Sequence, residues 1–258
     1  MKLDIIFRSC SSVTAVHGNG RPFGADKEEV ILRCLHALAA TTTAALSAGA
    51  LASARLVVLD DHSTARCLER MQRILTSCAF PTELHSLAAR GNGPSIAACL
   101  TWARSHASEL FYLVEDDYLH SGTAITEMVE AYGRATGLAR DRDPVIFPCD
   151  YPDRYQSPYP SFVFLSSHRY WRTVRHTTGT FMTSHRNLER YWDKYIAFAG
   201  YGIDPQVHED NTINLIYREV PCLSPMPTLA EHLHAGMDSP YSQRQAWWSQ
   251  SEIPAELE

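Results

Sequence analysis

The sequence predicts an α/β fold, a three-layer α/β/α sandwich around a mostly parallel central sheet. Three observations lead there. Apolar runs at residues 3–7, 54–59 and 110–114 alternate with segments whose apolar residues recur at helical spacing, the order expected of parallel strands joined by covering helices. The length, 258 residues, suits one large domain. The second and third runs end in acidic clusters, and sheets of this kind carry ligand chemistry at the carboxyl ends of their strands.

The first strand, LDIIF at 3–7, runs into Arg8-Ser9-Cys10-Ser11-Ser12 and then a glycine-rich polar loop, His17-Gly18-Asn19-Gly20-Arg21-Pro22. Asp26 is placed to cap a helix with Glu28 and Glu29 in its first turn, and Val30, Ile31, Cys34, Leu35 and Leu38 give that helix one apolar face. The second strand, ARLVVL at 54–59, ends in Asp60-Asp61-His62-Ser63. Ser63 or Thr64 then caps a helix lined by Cys67, Leu68, Met71, Ile74 and Leu75. A weaker strand near 83–87 precedes the turn Gly91-Asn92-Gly93-Pro94 and a helix expected to begin with Ser95 as its cap. The third strong strand, LFYLV at 110–114, ends in Glu115-Asp116-Asp117, and Ile125, Met128, Val129 and Tyr132 mark the helix after it.

Beyond about residue 141 the pattern changes. Strands are expected at 145–147, 161–165 and 177–182, helices at 187–198 and 209–218, and a proline- and tyrosine-rich stretch at 150–160. A polar, aromatic tail with Trp247-Trp248 follows from 240. One domain over 1–258 is therefore expected, divided into residues 1–140, residues 141–239 and a mobile tail at 240–258.

The net charge of −6 weighs against a general electrostatic clamp on nucleic acid, which needs a basic surface. The seven cysteines are odd in number and form no Cys-x-x-Cys pair, so free thiols in a reducing compartment are expected rather than a disulfide framework or zinc cluster. Asp4 breaks the N-terminal segment before a signal-peptide core can form, and no apolar run approaches the roughly 20 residues of a membrane span. A soluble, cytoplasmic protein is the expectation.

Four constellations carry candidate chemistry. Asp60-Asp61 at a strand end can accept hydrogen bonds from a base or ribose, or simply cap the next helix. Glu115-Asp116-Asp117 places three carboxylates in a row. Like charges held close are costly, and either solvent or a hard divalent cation relieves them. Glu209-Asp210 precedes a predicted helix, whose dipole favours an anion; a carboxylate there serves as a general base or as a cap. His232 and His234 point to the same side if their segment is extended, and either can complete a metal's coordination.

Taken in order, these motifs resemble the family-2-like, nucleotide-sugar-dependent glycosyltransferases of the GT-A fold. Asp60-Asp61-His62-Ser63 resembles that family's DDxS strand end, and Gly91-Asn92-Gly93-Pro94-Ser95-Ile96-Ala97-Ala98 resembles its N-x-G helix start. Glu115-Asp116-Asp117 resembles the metal-binding DxD-type motif, and Glu209-Asp210 the ED pair. Residues 227–232 are similar to a late segment whose histidine reaches the metal in some relatives. The likeness is specific over 54–118 and weak over 140–200. Glutamate in place of the first aspartate of the metal motif, no Arg-Asn near Ala98-Cys99 and no P-x-Y-N end to the first strand are departures.

The resemblance implies a nucleotide-diphosphate sugar as donor and Mn²⁺ or Mg²⁺ as cofactor. It implies that Asp61 meets the nucleotide base with Asp60 beside it, and that Arg8, Ser9, Asn92 and Glu115 line the nucleotide site. Asp116 would lie by ribose and metal, Asp117 would hold the metal with His232 or His234, and Asp210, next to Glu209, would be the catalytic base of an inverting transfer. Residues 1–140 would bind the nucleotide sugar and 141–239 the acceptor, which is left open among glycan, small molecule, protein and modified nucleic-acid base. The loop at 17–24 and Trp247-Trp248 are candidate lids, and Tyr151, Tyr155, Tyr159, Phe162, Tyr170 and Trp171 are candidates for sugar stacking or for core packing. The rival readings are a metal-dependent nucleotidyltransferase, which would add a phosphate-cradling glycine- and lysine-rich loop early in the chain, where this loop has glycine and Arg21 but no usable lysine, and a non-catalytic nucleotide- or glycan-binding module.

Overall fold

In a computed structural model, which describes residues 1–12, 22–138, 142–234 and 236–257, the three strong apolar runs lie side by side. The glycine-rich loop at 17–21 and the boundary near 141 lie outside the described residues. Strand β1 (Lys2–Ser9) leads to helix α1 (Lys27–Ser47), β2 (Ser53–Asp60), α2 (Ala65–Thr76) and β3 (Thr82–Ser86). Helix α3 (Asn92–His106), β4 (Leu110–Glu115), β5 (Tyr118–His120), α4 (Ala124–Leu138), β6 (Val145–Ile146) and the single turn α5 (Asp153–Gln156) follow. The remainder comprises β7 (Val163–Leu165), β8 (Tyr170–Val174), β9 (Phe181–Ser184), α6 (His185–Arg190), α7 (Trp192–Ala197), β10 (Cys222–Met226), β11 (Ala230–His232) and α8 (Arg244–Gln250).

Nine strands form one sheet in the order β3-β2-β1-β4-β9-β6-β10-β8-β7. β1 pairs in parallel with β2 and β4, so that Ile6 stands opposite Val57 on one side and Leu113 on the other. Only β9 and β8 run against the common direction. Ile5, Ile6, Phe7, Leu56, Val57, Val58, Phe111 and Tyr112 are all buried, as strands covered on both faces must be. Each such side chain contributes about 1.5–3 kcal/mol of burial. Helices α1, α2 and α4 pack together, as do α3, α6 and α7. The right-handed crossover rule puts α1 and α2 on one face and α3, which returns the chain past β1, on the other. The expected three-layer sandwich with a mostly parallel sheet is present.

Local chemistry sets the helix starts. Asp26 caps α1 by accepting from Glu29 N at 2.7 Å, and Thr64 caps α2 by accepting from Cys67 N at 3.1 Å. Gly91, at φ 110°, takes the cap position of α3, a backbone conformation that strains any residue with a Cβ. Ser95, expected to be that cap, lies inside the helix, and its hydroxyl donates to Asn92 O at 2.9 Å.

Four other expectations are corrected. Residues 187–198 form two short helices broken at Tyr191, whose backbone (φ −115°, ψ 24°) is not helical. Residues 209–218 form two 3-10 turns, Glu209–Asn211 and Ile213–Arg218, broken at Thr212 (φ −128°, ψ −103°). A three-residue turn has too little aligned dipole to hold an anion, so that ground for Glu209-Asp210 falls. Strands β8 and β10 were not anticipated, because β10 carries Pro225, a residue that argues against an interior strand. Finally, α1 is long and apolar enough to cross a membrane, contrary to the expectation of no such run; here Val30, Ile31, Leu32, Cys34, Leu35 and Leu38 are buried in the protein core.

Candidate active site

The strand order reverses direction between β1 and β4: the chain steps outward through β2 and β3, then crosses back over α3 to β4. A crevice opens at the carboxyl ends of such strands. Arg8, Ser9 and Cys10 leave β1 there, Asp60 and Asp61 end β2, and Glu115, Asp116 and Asp117 end β4. Cys10 joins the two acidic clusters, its amide donating to Asp116 Oδ2 at 2.8 Å and its thiol to Asp61 O at 2.9 Å.

The two aspartates on β2 are both buried and both engaged. Asp60 accepts from Ser9 Oγ at 2.8 Å and from Ser63 N at 2.9 Å, which pins the tip of β2 to β1. Asp61 accepts from Gly91 N at 2.8 Å and has His62 Nδ1 2.9 Å away. It therefore fixes the turn that starts α3. Asn92, from that turn, accepts from Arg8 Nη1 at 2.9 Å and donates to Tyr201 O at 3.2 Å.

The triplet on β4 is neutralised residue by residue. Arg8 Nη2 donates to Glu115, while Arg8 Nη1 donates to Ser95 Oγ at 3.1 Å. The Lys27 ammonium donates to Asp116 Oδ1. His232 Nε2 lies 3.5 Å from Asp117 Oδ2. Burial would lower the Lys27 ammonium, but Asp116 and then Asp117 outweigh it and hold it above its ordinary value. Burial pushes the Asp116 carboxyl up and the Asp117 charge adds to this; Lys27 and the Cys10 amide oppose it. For Asp117 the upward push of burial is overcome by His232, then Lys27 and Arg8, so its carboxyl sits below the usual range.

His232 is held on its other side. β11 pairs antiparallel with β5, placing His232 opposite Tyr118, and the two rings stack at 4.6 Å between centroids. Tyr151 OH lies 3.0 Å from His232 Nδ1, and Tyr118 OH lies 2.9 Å from Tyr151 OH and 2.6 Å from Thr178 Oγ1. His234 falls beyond the strand, its ring 5.6 Å from that of His232.

A divalent ion needs several hard donors turned toward one point. Here each carboxylate faces its own protein cation, and both oxygens of Asp116 are in use. Among the described residues no three His, Cys, Asp or Glu side chains gather as a ligand set. An ion at Asp116 would also stand against the Lys27 ammonium, and like unit charges about 4 Å apart repel by about 4 kcal/mol near a protein surface. The residues in this arrangement do not fit Mn²⁺ or Mg²⁺, and the expected gathering of Asp116, Asp117, His232 and His234 around a metal is not met.

On the far side of the crevice Glu209 and Asp210 differ. Glu209 is half-buried, and burial first, then the nearby Glu115 charge, raises its carboxyl. Asp210 is 74% exposed at its side chain; it accepts from Asn214 Nδ2 at 2.9 Å and has His176 Nδ1 2.9 Å away. Those two bonds lower its carboxyl. The aromatic residues of 150–171 divide in the same way: Tyr151 and Trp171 are buried, while Tyr155, Phe162 and Tyr170 are exposed, Phe162 at 84%.

Sequence reasoning missed Lys27, Cys10 and Tyr118, and it named Tyr151 for stacking or packing rather than as a partner of His232. For Lys27 a signal existed. It is one of three lysines in the chain, and it opens α1, where the positive end of the helix dipole disfavours a cation.

No protein-family model and no curated protein matches the chain. Among solved structures it is similar to S. aureus TarS 1–349, with TM-score 0.51 and 14% identity over 87% of this chain and 58% of that one. The chain thus spans 58% of the length of that TarS segment. TarS 1–349 in complex with UDP-GlcNAc gives a TM-score of 0.44 at 15% identity, over 74% and 47% of the two chains. UDP-glucose pyrophosphorylase complexed with UDP-glucose gives 0.44 at 12% identity, over 97% of each. At these identities the likeness is one of fold, and only the first superposition is close enough to carry weight. With the β3-β2-β1-β4 order and acidic ends on β2 and β4, the chain has the GT-A-like α/β/α fold that its motifs resemble.

Proposed function

We propose that the protein is a nucleotide-dependent transferase that moves a sugar from a nucleoside-diphosphate donor to an acceptor hydroxyl. One observation carries this reading: residues 60–61 and 115–117 lie on the same edge of the sheet, bridged by Cys10. Opposite edges would have left no crevice to hold one ligand. Arg8 and Lys27 supply cations at the place where a diphosphate would lie, and the Asp61–Gly91 turn supplies the polar wall for the nucleoside.

In the reaction the acceptor oxygen forms a bond to the anomeric carbon as the bond from that carbon to the β-phosphate oxygen breaks. The bonding pair leaves with the nucleoside diphosphate, and the hydroxyl proton passes to a carboxylate. Attack from the face opposite the leaving group inverts the anomeric centre. Glu209 is the better placed proton acceptor: it is half-buried and within electrostatic reach of Glu115, and burial makes its carboxylate more basic. Asp210, fastened to His176 and Asn214, positions the turn.

A thermal-shift screen of nucleotide sugars identifies the donor, since a ligand that binds only the folded state raises the melting temperature. With that donor, Glu209→Gln should keep binding and lose transfer by roughly 10²- to 10⁴-fold. Asp210→Asn should lose less. If Asp210→Asn alone abolishes transfer, the two carboxylates exchange roles. If no nucleotide sugar stabilises the chain, the transferase reading is wrong.

A second reading is favoured by Lys27. Nucleotidyl transfer calls for a lysine near the early loop, and Lys27 reaches the acidic tip of β4. Release of inorganic pyrophosphate from a nucleoside triphosphate plus a sugar phosphate would establish it.

A further inference from the structure

We propose that Lys27 holds the place of a divalent cation at the tip of β4, so that the site binds a nucleoside diphosphate without a metal ion. The diphosphate part rests on the transferase reading above; the exclusion of an ion does not.

Three observations converge. Three consecutive carboxylates demand positive charge, and the fold supplies it from Arg8 on β1, Lys27 on α1 and, when protonated, His232 on β11. The most enclosed of these pairs is Lys27–Asp116, whose side chains are only 14% and 11% exposed. Lys27 also stands at the first position of a 21-residue helix, against the helix dipole, so it is kept there by something other than helix stability. Asp116 is that something: it accepts from Lys27 at one oxygen and from the Cys10 amide at the other, so each oxygen is already engaged and an ion reaching for either meets the Lys27 charge.

An ammonium has three N–H donors. Lys27 spends one on Asp116, its one hydrogen-bond partner among the described residues, which leaves two that can turn to phosphate oxygens entering from the crevice. Asp116 then does for Lys27 what the triplet of a metal site does for its ion. It fixes the cation in space and compensates its charge while the site waits for the donor. The ion is dispensable because a dication and the Lys27 ammonium cannot share Asp116 without strong repulsion.

The test has two arms. In the first, Mn²⁺ is titrated into the full chain and free ion is followed by electron paramagnetic resonance. Wild type should leave the free-ion signal undiminished in the micromolar range, while Lys27→Gln, which uncovers Asp116, should take up the ion. Uptake by wild type as tight as by Lys27→Gln overturns the proposal. In the second arm UDP, GDP, ADP, CDP and dTDP are titrated calorimetrically in EDTA and in Mn²⁺. At least one should bind wild type equally under both conditions. Lys27→Gln should weaken that binding by about tenfold or more in EDTA, the loss of a charge-assisted bond, and regain part of it with Mn²⁺. Lys27→Arg, which keeps the charge, should retain metal-free binding and controls for misfolding. Nucleotide binding that appears only with Mn²⁺, or that is indifferent to Lys27→Gln, refutes the role of Lys27. If no nucleoside diphosphate binds under either condition, the transferase reading falls with it, and the ion arm alone decides whether Lys27 excludes a metal.

Discussion

Asp60 and Asp61 are neighbours with separable tasks. Asp60 is fully buried, and its oxygens are spent on Ser9 Oγ and Ser63 N. Truncating it strands Ser9 Oγ in the core and leaves the partly buried Ser63 amide without its acceptor, and each unsatisfied group costs about 1–3 kcal/mol. Asp60→Ala should therefore lose about 2–4 kcal/mol of stability, read as a lower urea midpoint at unchanged slope. Asp61→Ala should cost less stability and instead loosen the Gly91 turn, visible as faster amide exchange at Gly91. An unchanged midpoint for Asp60→Ala would mean that the tip of β2 is held by something else. Both aspartates were legible in the sequence as a polar strand end. Their division of labour was not, because it depends on Ser9 and Gly91, which lie 51 and 30 residues away along the chain. Lys27 was hidden for the same reason: its partner, Asp116, is 89 residues away.

At the level of elements, what the sequence disclosed follows the range of the interactions. β1, β2 and β4 are buried on both faces, so their own apolar runs declare them. β5 and β11 are three residues each and exist only because they pair with each other across the chain. β8 and β10 likewise pair over a long separation, with Pro225 disguising β10. Residues 209–218 had helical spacing but break at Thr212, a backbone event that side-chain periodicity does not encode. The little β5–β11 sheet has its own titration. His120 on β5 is buried with its Nε2 2.7 Å from Tyr112 OH, and burial pushes its imidazole down to about 4. Unfolded, it titrates near its ordinary value of about 6.5. Between those values the unfolded chain binds a proton that the folded chain refuses, so stability falls as the pH is lowered through that window and is level above it. At about 1.4 kcal/mol per unit, the loss is on the order of 3 kcal/mol once the pH reaches the lower value. Denaturant unfolding at about pH 7 and about pH 5 should show a smaller pH effect in His120→Gln than in wild type. Equal pH effects in the two would show that His120 is not the group responsible.

Across the whole molecule, the tail connects the two flanks of the candidate site. α8 packs Trp248 face to face on Phe23, with ring centroids 4.8 Å apart, and Arg33 of α1 lies over Trp248 at 4.3 Å and donates to its carbonyl at 2.8 Å. Phe23 has a left-handed backbone (φ 64°), a costly conformation for a bulky residue, and the stack with Trp248 helps to hold it there. From the same helix Arg244 Nη2 donates to His232 O at 2.9 Å. The segment just before Lys27 and the strand carrying His232 are thereby tied to one C-terminal helix. Lys27 and His232, two of the three partners of the acidic triplet, thus lie next to contacts made by α8, although α8 contributes no charge to the triplet itself. Trp248→Ala empties a nearly buried aromatic position and should cost about 3–5 kcal/mol. If the tail also sets the position of Lys27, the same variant should weaken nucleoside-diphosphate binding at temperatures where it is still fully folded, measured by calorimetry beside wild type. A variant that melts earlier but binds the nucleotide as wild type does would confine α8 to a packing role and leave the placement of Lys27 to Asp26 and Asp116.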